Sequence, residues 1–130
     1  MLVTRETDYA VRTVLYLARE QDRTASVTEV ARAMRIPKSF LAKILQRLVR
    51  SHILKSRRGV NGGFQLAQKP SNITLLSIME AIQGQAGINL CAIDSKKCTW
   101  SATCSVHPVW VGIRKEVERR LKKQTIAGLL

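Results

Sequence analysis

Residues 26–67 read SVTEVARAMRIPKSFLAKILQRLVRSHILKSRRGVNGGFQLA, and this stretch decides the fold. Ser26 and Glu29 have the spacing of a capping box, which predicts that a short helix begins there. A tight turn precedes Pro37, which suits the first position of a second helix because its missing N–H costs nothing there. This second helix has apolar residues at a 3.6-residue period and basic residues on the opposite face. The pattern predicts a helix-turn-helix over about residues 26–51.

The remainder of this stretch predicts a β-hairpin. Residues 53–58 and 64–67 are short β-prone runs on either side of a glycine-rich turn that contains Asn61. A basic hairpin directly after a helix-turn-helix is a wing, here over about residues 53–67. We therefore expect a winged helix-turn-helix DNA-binding domain over residues 1–84.

Two further helices complete this mainly α domain. Thr4 is suited to cap a first helix that runs to about Glu20 and is apolar around most of its circumference. A helix of this kind is expected to be buried from two sides. Thr74 is suited to cap another helix that continues through Ile82, and Gly84 is placed to end it.

The second helix of the helix-turn-helix predicts how the domain reads DNA. Such a helix enters the major groove with its N-terminal residues at base edges, while residues further along lie nearer the backbone. Arginines of the wing suit phosphate or minor-groove contacts. The alternative interpretation is a solvated basic face on an ordinary three-helix domain. The predicted DNA-binding residues are Thr28, Lys38, Ser39, Phe40, Lys43, Arg47, Arg50, Arg57, Arg58, Gly59 and Asn61.

The charge favours an anionic partner. The chain carries 22 Lys and Arg against 9 Asp and Glu, a net charge of +13, and residues 1–70 hold 14 of these bases against 5 of the acids. No apolar run reaches the length of about 20 residues that spans a membrane, and the N-terminus lacks the features of a signal peptide. We expect a cytoplasmic protein that binds double-stranded DNA and no membrane. The sequence has no glycine-rich phosphate loop at a strand–helix junction and no Ser/His/Asp set that can be placed in one pocket, so we do not expect an enzyme.

The three cysteines of the chain, Cys91, Cys98 and Cys104, lie in one segment, residues 85–106, and His107 follows. The segment shows no helical or strand period, which predicts a loop. Soft thiolate ligands suit an iron–sulfur cluster or a structural zinc, although zinc sites usually contain a C-x₂₋₄-C pair that is missing here. Reduced cysteines without a ligand are the third interpretation, because free cysteine often behaves as a small apolar residue.

A last helix is predicted from about His107 to Lys123. Its narrow apolar stripe is close to a heptad seam, which favours pairing with a copy of the same helix. Residues 107–130 are therefore expected to form a dimerisation helix and a C-terminal tail. The predicted dimer contacts are Trp110, Ile113, Val117 and Leu121, with Val109 beside them.

Several motifs together resemble the Rrf2 family of bacterial winged-helix regulators, which includes regulators of the IscR, NsrR, RirA and CymR types. The resemblance covers essentially the whole chain. It is carried by DYAV at 8–11, IPKSFL at 36–41, RGVNGGFQL at 58–66, CSVH at 104–107 and TIAGL at 125–129.

This resemblance implies a homodimeric repressor that binds a palindromic operator and whose operator affinity depends on an iron–sulfur cluster. By position, Cys91, Cys98 and Cys104 match the cluster cysteines of the family. His107 matches the histidine that completes a 2Fe–2S cluster in IscR-type members, and Asp8 matches the acid that completes a 4Fe–4S cluster in nitric-oxide sensors. We prefer His107 and a 2Fe–2S cluster. The signal sensed (iron or cluster supply, redox poise or nitric oxide) stays open, as does a clusterless regulator of the CymR type that responds through a protein partner.

Overall fold

The computed structural model describes residues 3–20 and 22–130, which form six α-helices, one β-hairpin and three single turns of 3₁₀-helix. The helices and strands, in chain order, are α1 (Arg5–Arg19), α2 (Val27–Met34), α3 (Lys38–Arg50), β1 (Leu54–Arg57), β2 (Gly63–Leu66), α4 (Leu75–Gln83), α5 (Leu90–Ile93) and α6 (His107–Lys123). The expected mainly α winged helix-turn-helix is confirmed. No helix in the described part of the chain is long and apolar enough to cross a bilayer.

The predicted N-caps of α1 and α4 are confirmed. The Thr4 hydroxyl accepts a hydrogen bond from the backbone N–H of Thr7 at 3.2 Å. Thr74 and Ser77 form a reciprocal capping box, in which each side chain accepts from the other residue's backbone N–H at 3.1 Å. Gly84 follows α4 with a φ of 85°, a conformation that favours glycine.

The helix-turn-helix differs from its prediction in two details. The Ser26 hydroxyl accepts from the backbone N–H of Glu29 at 3.1 Å, but the Glu29 carboxylate pairs with the Arg23 guanidinium at 2.7 Å, so only half of the expected capping box forms. Pro37 is the N-cap of α3 rather than its first residue. Arg35 makes the tight turn with a left-handed φ of 55°.

The wing is an antiparallel hairpin with Leu54 opposite Leu66 and Arg57 opposite Gly63. Phe64, one residue beyond the pair that closes the turn, is joined by a two-way bridge to Ala25, which precedes the N-cap of α2. The Ala25 N–H donates to the Phe64 carbonyl at 3.0 Å, and the Phe64 N–H donates to the Ala25 carbonyl at 2.8 Å. The wing is therefore attached to the helix-turn-helix through the backbone.

The core lies around α1, which packs against α2, α3, α4 and β2, as its apolar circumference predicts. The C-terminal tail also enters this core. Ile126 is completely buried, and its N–H donates to the Ile73 carbonyl at 2.8 Å, while the Leu75 N–H donates to the Gln124 carbonyl at 2.9 Å. The chain after α6 thus returns to the DNA-binding domain.

The segment of residues 85–106 is not wholly a loop. It contains α5 and a single 3₁₀ turn at Ser95–Lys97. The Asn89 side chain caps α5 by accepting from the Ala92 N–H at 3.3 Å. A helix of four residues is too short to leave a period in the sequence, which is why the expectation of a featureless loop was wrong here.

Candidate nucleic-acid interface and cysteine segment

The first half of α3 presents an exposed face that is polar except for Phe40. Lys38, Ser39, Phe40 and Lys43 are exposed, and 46% of the Phe40 surface is accessible. The opposite face of α3 is buried against the core through Leu41, Ile44, Leu45 and Leu48. This division leaves the predicted base-reading residues available to a ligand.

Arg47, further along α3, already has partners within the fold. Its Nη1 donates to the Glu6 carboxylate at 2.9 Å and to the Ile82 carbonyl at 3.2 Å. Glu6 and Arg47 also line a pocket of about 180 Å³ beside Phe40 and Lys43. The arginine therefore connects α1, α3 and the end of α4, an arrangement that the sequence did not indicate.

The end of β1 and the turn that follows it carry the second basic group. Arg57, Arg58, Gly59 and Asn61 are exposed, and so is Thr28 in the first turn of α2. The Gly62 N–H donates to the Gly59 carbonyl at 2.9 Å and closes the turn.

A side-chain hydrogen bond ties this turn to the helix-turn-helix. The Thr24 hydroxyl donates to the Asn61 carbonyl at 2.6 Å. Sequence reasoning missed Thr24, which lies in the short polar break between α1 and α2, because no local pattern pairs it with a residue 37 positions away.

The charge of Glu29, an acidic residue in the first turn of α2, is balanced by a neighbouring arginine. Glu29 pairs with Arg23 at 2.7 Å and accepts from the Tyr16 hydroxyl at 2.6 Å. These hydrogen bonds, that of Arg23 foremost, lower the pKa of Glu29 to about 2, and the bond to Glu29 raises the pKa of Tyr16. The Glu29 carboxylate is therefore ionised and held at neutral pH.

The cysteine segment holds three free, half-buried thiols. The Sγ of Cys91 lies 3.5 Å from Oδ1 of Asn89. Cys98 and His107 line one surface pocket of about 390 Å³, and the His107 N–H donates to the Cys104 carbonyl at 3.2 Å. Two of the four predicted ligands thus share a pocket, and the other two lie outside its lining.

The donor chemistry of this segment fits an iron–sulfur cluster. Thiolates are soft ligands that hold iron–sulfur clusters, and an imidazole also binds iron. Nδ1 of His107 and Oγ of Ser101 are buried and have no hydrogen-bond partner within the described residues. These residues include no group of three or more His, Cys, Asp or Glu side chains close enough together to hold a metal ion. Asp8, the alternative ligand, pairs with Arg12 at 2.8 Å on α1.

The last helix carries no fully buried residue among those described. α6 packs against α4 and α5 of its own chain, and Trp110, Val117 and Leu121 are half-buried. Val109 and Ile113 remain 53% and 39% exposed. An apolar strip at the N-terminal end of the helix is therefore left facing solvent.

A family model described as "Rrf2: Iron-dependent Transcriptional regulator" matches residues 3–130. A protein of Aquifex aeolicus, whose name describes it as an HTH-type transcriptional regulator, is 32% identical over all of this chain and 92% of its own length. The HTH-type transcriptional regulator NsrR of Geobacillus kaustophilus is 26% identical over all of this chain and 90% of its own. These relatives are transcriptional regulators and not enzymes.

Two solved structures share the fold. CymR, the global cysteine regulator of B. subtilis, aligns with a TM-score of 0.80 at 21% identity and covers 99% of this chain and 95% of its own. IscR of T. potens aligns with a TM-score of 0.76 at 22% identity and covers 99% of this chain and 85% of its own.

Proposed function

Since the chain belongs to the Rrf2 family of DNA-binding transcriptional regulators, we propose that it is a homodimeric repressor whose operator affinity depends on an iron–sulfur cluster. The observation that carries this proposal is the presence, in one chain, of a winged helix-turn-helix and a segment with three free thiols, followed by His107, whose buried Nδ1 has no hydrogen-bond partner among the described residues.

DNA binding would use α3 and the wing together. The exposed N-terminal residues of α3, Lys38, Ser39 and Lys43, suit base edges in the major groove. Arg57 and Arg58 suit phosphates or the minor groove on either side. Two such domains related by a two-fold axis would prefer a palindromic operator with half-sites about one helical turn or a small multiple apart.

Dimerisation would use the apolar stripe of α6, formed by Trp110, Ile113, Val117 and Leu121, with Val109 beside them. Val109 and Ile113 are apolar and accessible at one end of the helix, and a second copy would cover them. Burial of apolar surface stabilises association by roughly 25 cal/mol per Å² before the costs of ordering are subtracted.

Cys91, Cys98 and Cys104 would hold the cluster, with His107 as the fourth ligand and a 2Fe–2S form preferred. The unpartnered Nδ1 of His107 supports this choice over Asp8, whose carboxylate is engaged by Arg12. When bound, the cluster supplies a centre that responds chemically to iron supply, oxidants or nitric oxide.

The path from the cysteine segment to DNA would pass through the end of α4. The segment begins immediately after α4, whose Ile82 carbonyl accepts from Arg47 of the recognition helix. A shift at this end of α4 would therefore change the support of α3.

A clusterless regulator is the second candidate. The described residues do not gather three potential ligands in one place, and the fold is as similar to CymR as it is to IscR. In this case the thiols stay free and a protein partner delivers the signal. A structural zinc is the remaining alternative for the same ligands.

Anaerobic purification tests the proposal. We expect coloured protein with iron and acid-labile sulfide, and we expect each Cys→Ala variant to lose both. Thr103→Ala, in the same segment, is the matched control and should keep them. Equimolar zinc without sulfide would favour a structural zinc, and metal-free protein that binds DNA normally would favour the clusterless regulator.

The fourth ligand is tested by comparing His107→Ala, His107→Cys and Asp8→Ala with the wild type by absorbance and Mössbauer spectroscopy. Altered spectra in both His107 variants and an unchanged spectrum in Asp8→Ala are expected. The opposite pattern would assign the ligand to Asp8 and favour a 4Fe–4S cluster.

A further inference from the structure

We propose that Thr24 is a positioning residue for DNA binding, because its hydroxyl fixes the turn of the wing to the helix-turn-helix. The inference rests on the proposed function in one respect, namely that the wing arginines contact DNA. Thr24 itself is assigned no contact with DNA.

The bond of Thr24 extends the support of the wing from its second strand into its turn. The backbone bridge between Ala25 and Phe64 lies at the turn end of the hairpin, but it holds β2 and not the turn itself. Within the described part of the chain, the bond from Thr24 to the Asn61 carbonyl, at 2.6 Å, is the hydrogen bond that joins the turn of residues 58–62 to the helix-turn-helix.

The segment that presents the hydroxyl is itself held in place. Nη1 of Arg23 donates to the Thr24 carbonyl at 3.3 Å and to Glu29 at 2.8 Å. Glu29 belongs to the first turn of α2, whose N-cap is formed by Ser26. The hydroxyl is thus fixed relative to α2, and its acceptor carbonyl is fixed relative to the wing.

The wing needs such a support for physical reasons. A two-stranded hairpin is marginally stable by itself in water. Arg57 and Arg58 are adjacent and exposed, so their repulsion opposes a compact turn. A turn that is ordered before binding spares the cost of ordering its backbone and side chains on DNA. The position of the turn also decides which phosphates the two arginines reach.

The hydroxyl is the group to remove. Thr24→Val keeps the shape of the side chain but cannot donate, whereas Thr24→Ser keeps the donor and removes only a methyl group. Thr103→Val, in the cysteine segment, makes the same chemical change away from the wing and is the matched control. All variants are made in the full chain.

The assay is fluorescence anisotropy over a salt series, with a duplex selected from a random library by the wild-type protein. We expect Thr24→Val to weaken binding about 2- to 10-fold per subunit, the range for removal of one hydrogen bond. It should also flatten the slope of log K against log salt by about 0.9 for each phosphate that the wing arginines no longer neutralise. Thr24→Ser should bind DNA with an affinity within about twofold of the wild type and should keep the wild-type slope. Thr103→Val should match the wild type in both.

A double-mutant cycle separates positioning from a general structural role. In a background of Arg57→Ala and Arg58→Ala, Thr24→Val should have no further effect on affinity or slope, because Thr24 acts through these arginines. An equal reduction of affinity in both backgrounds would overturn the proposal. Hydrogen exchange at the Gly62 amide, which should be faster in Thr24→Val without DNA, gives a readout that does not depend on binding.

The two possible failures are distinguishable. If the arginine variant binds DNA more weakly than the wild type but Thr24→Val binds normally, the positioning role is wrong and DNA contact by the wing stands. If the arginine variant binds like the wild type, wing contact is wrong, and the role of Thr24 falls with it.

Discussion

If Arg47 contacts a DNA phosphate, as its place along α3 predicts, replacing Glu6 with Gln should tighten DNA binding, because Glu6 and the phosphate would compete for Arg47. In the free protein Arg47 is 2.9 Å from the Glu6 carboxylate, and the two side chains are 45% and 42% exposed. A solvent-exposed pair of this kind contributes about 0.2–1 kcal/mol. Glu6→Gln should therefore raise affinity by about 1.4- to 5-fold per subunit and lower the free energy of unfolding by at most about 1 kcal/mol.

The salt dependence shows whether Arg47 is the cause. If the released guanidinium binds a phosphate, the slope of log K against log salt should steepen by about 0.9 per subunit. Glu116→Gln is the matched control, since Glu116 is an exposed acid that pairs with Arg119 and Arg120 on α6. In an Arg47→Ala background, Glu6→Gln should have no effect. Binding by Glu6→Gln that is no tighter than binding by Glu116→Gln would refute the competition.

Three further outcomes are expected. Gly63→Ala should destabilise the protein by more than about 1 kcal/mol, because a Cβ would lie 2.5 Å from the Ala25 carbonyl oxygen at a φ of +151°; thermal unfolding measures this. Glu29→Gln should lower stability at pH 7 by up to about 1 kcal/mol. The pKa of Glu29 is about 2 in the folded state and 4.5 ordinarily. The stabilisation from its ionised carboxylate is therefore present above pH 4.5 and is lost as the pH falls toward 2. The free energies of unfolding of the wild type and the variant should converge over that range. Ile126→Ala should cost about 2–5 kcal/mol in denaturant unfolding, whereas Leu130→Ala, at a residue 50% exposed, should cost little.

Local signals explain why much of the fold could be predicted from the sequence. The caps at Thr4 and Thr74 join a side chain to an N–H three residues away, so the pattern contains both partners. The wing is marked by two β-prone runs and an intervening turn, and its register follows from the hairpin.

The parts that could not be predicted depend on distant residues. Arg47 and Glu6 are 41 positions apart, and nothing near either residue indicates their ion pair. Glu29 was expected to complete a capping box, but Arg23 and Tyr16 provide stronger partners. Within the cysteine segment, the identity of the three candidate thiol ligands follows from composition. Their arrangement does not, because the path of a segment without periodicity is set by tertiary contacts.

The return of the tail to the core makes residues 75–124 a closed loop. Leu75 and Gln124 are hydrogen-bonded to each other, and the completely buried Ile126 anchors the junction next to them. Closing a free loop costs entropy that grows as about (3/2)RT ln n with its length n. Folding closes the loop that contains all four proposed cluster ligands, so binding of a cluster would not have to close it again. A cluster would need to order only the interior of this loop, so a variant that releases Ile126 should weaken cluster retention without altering any ligand.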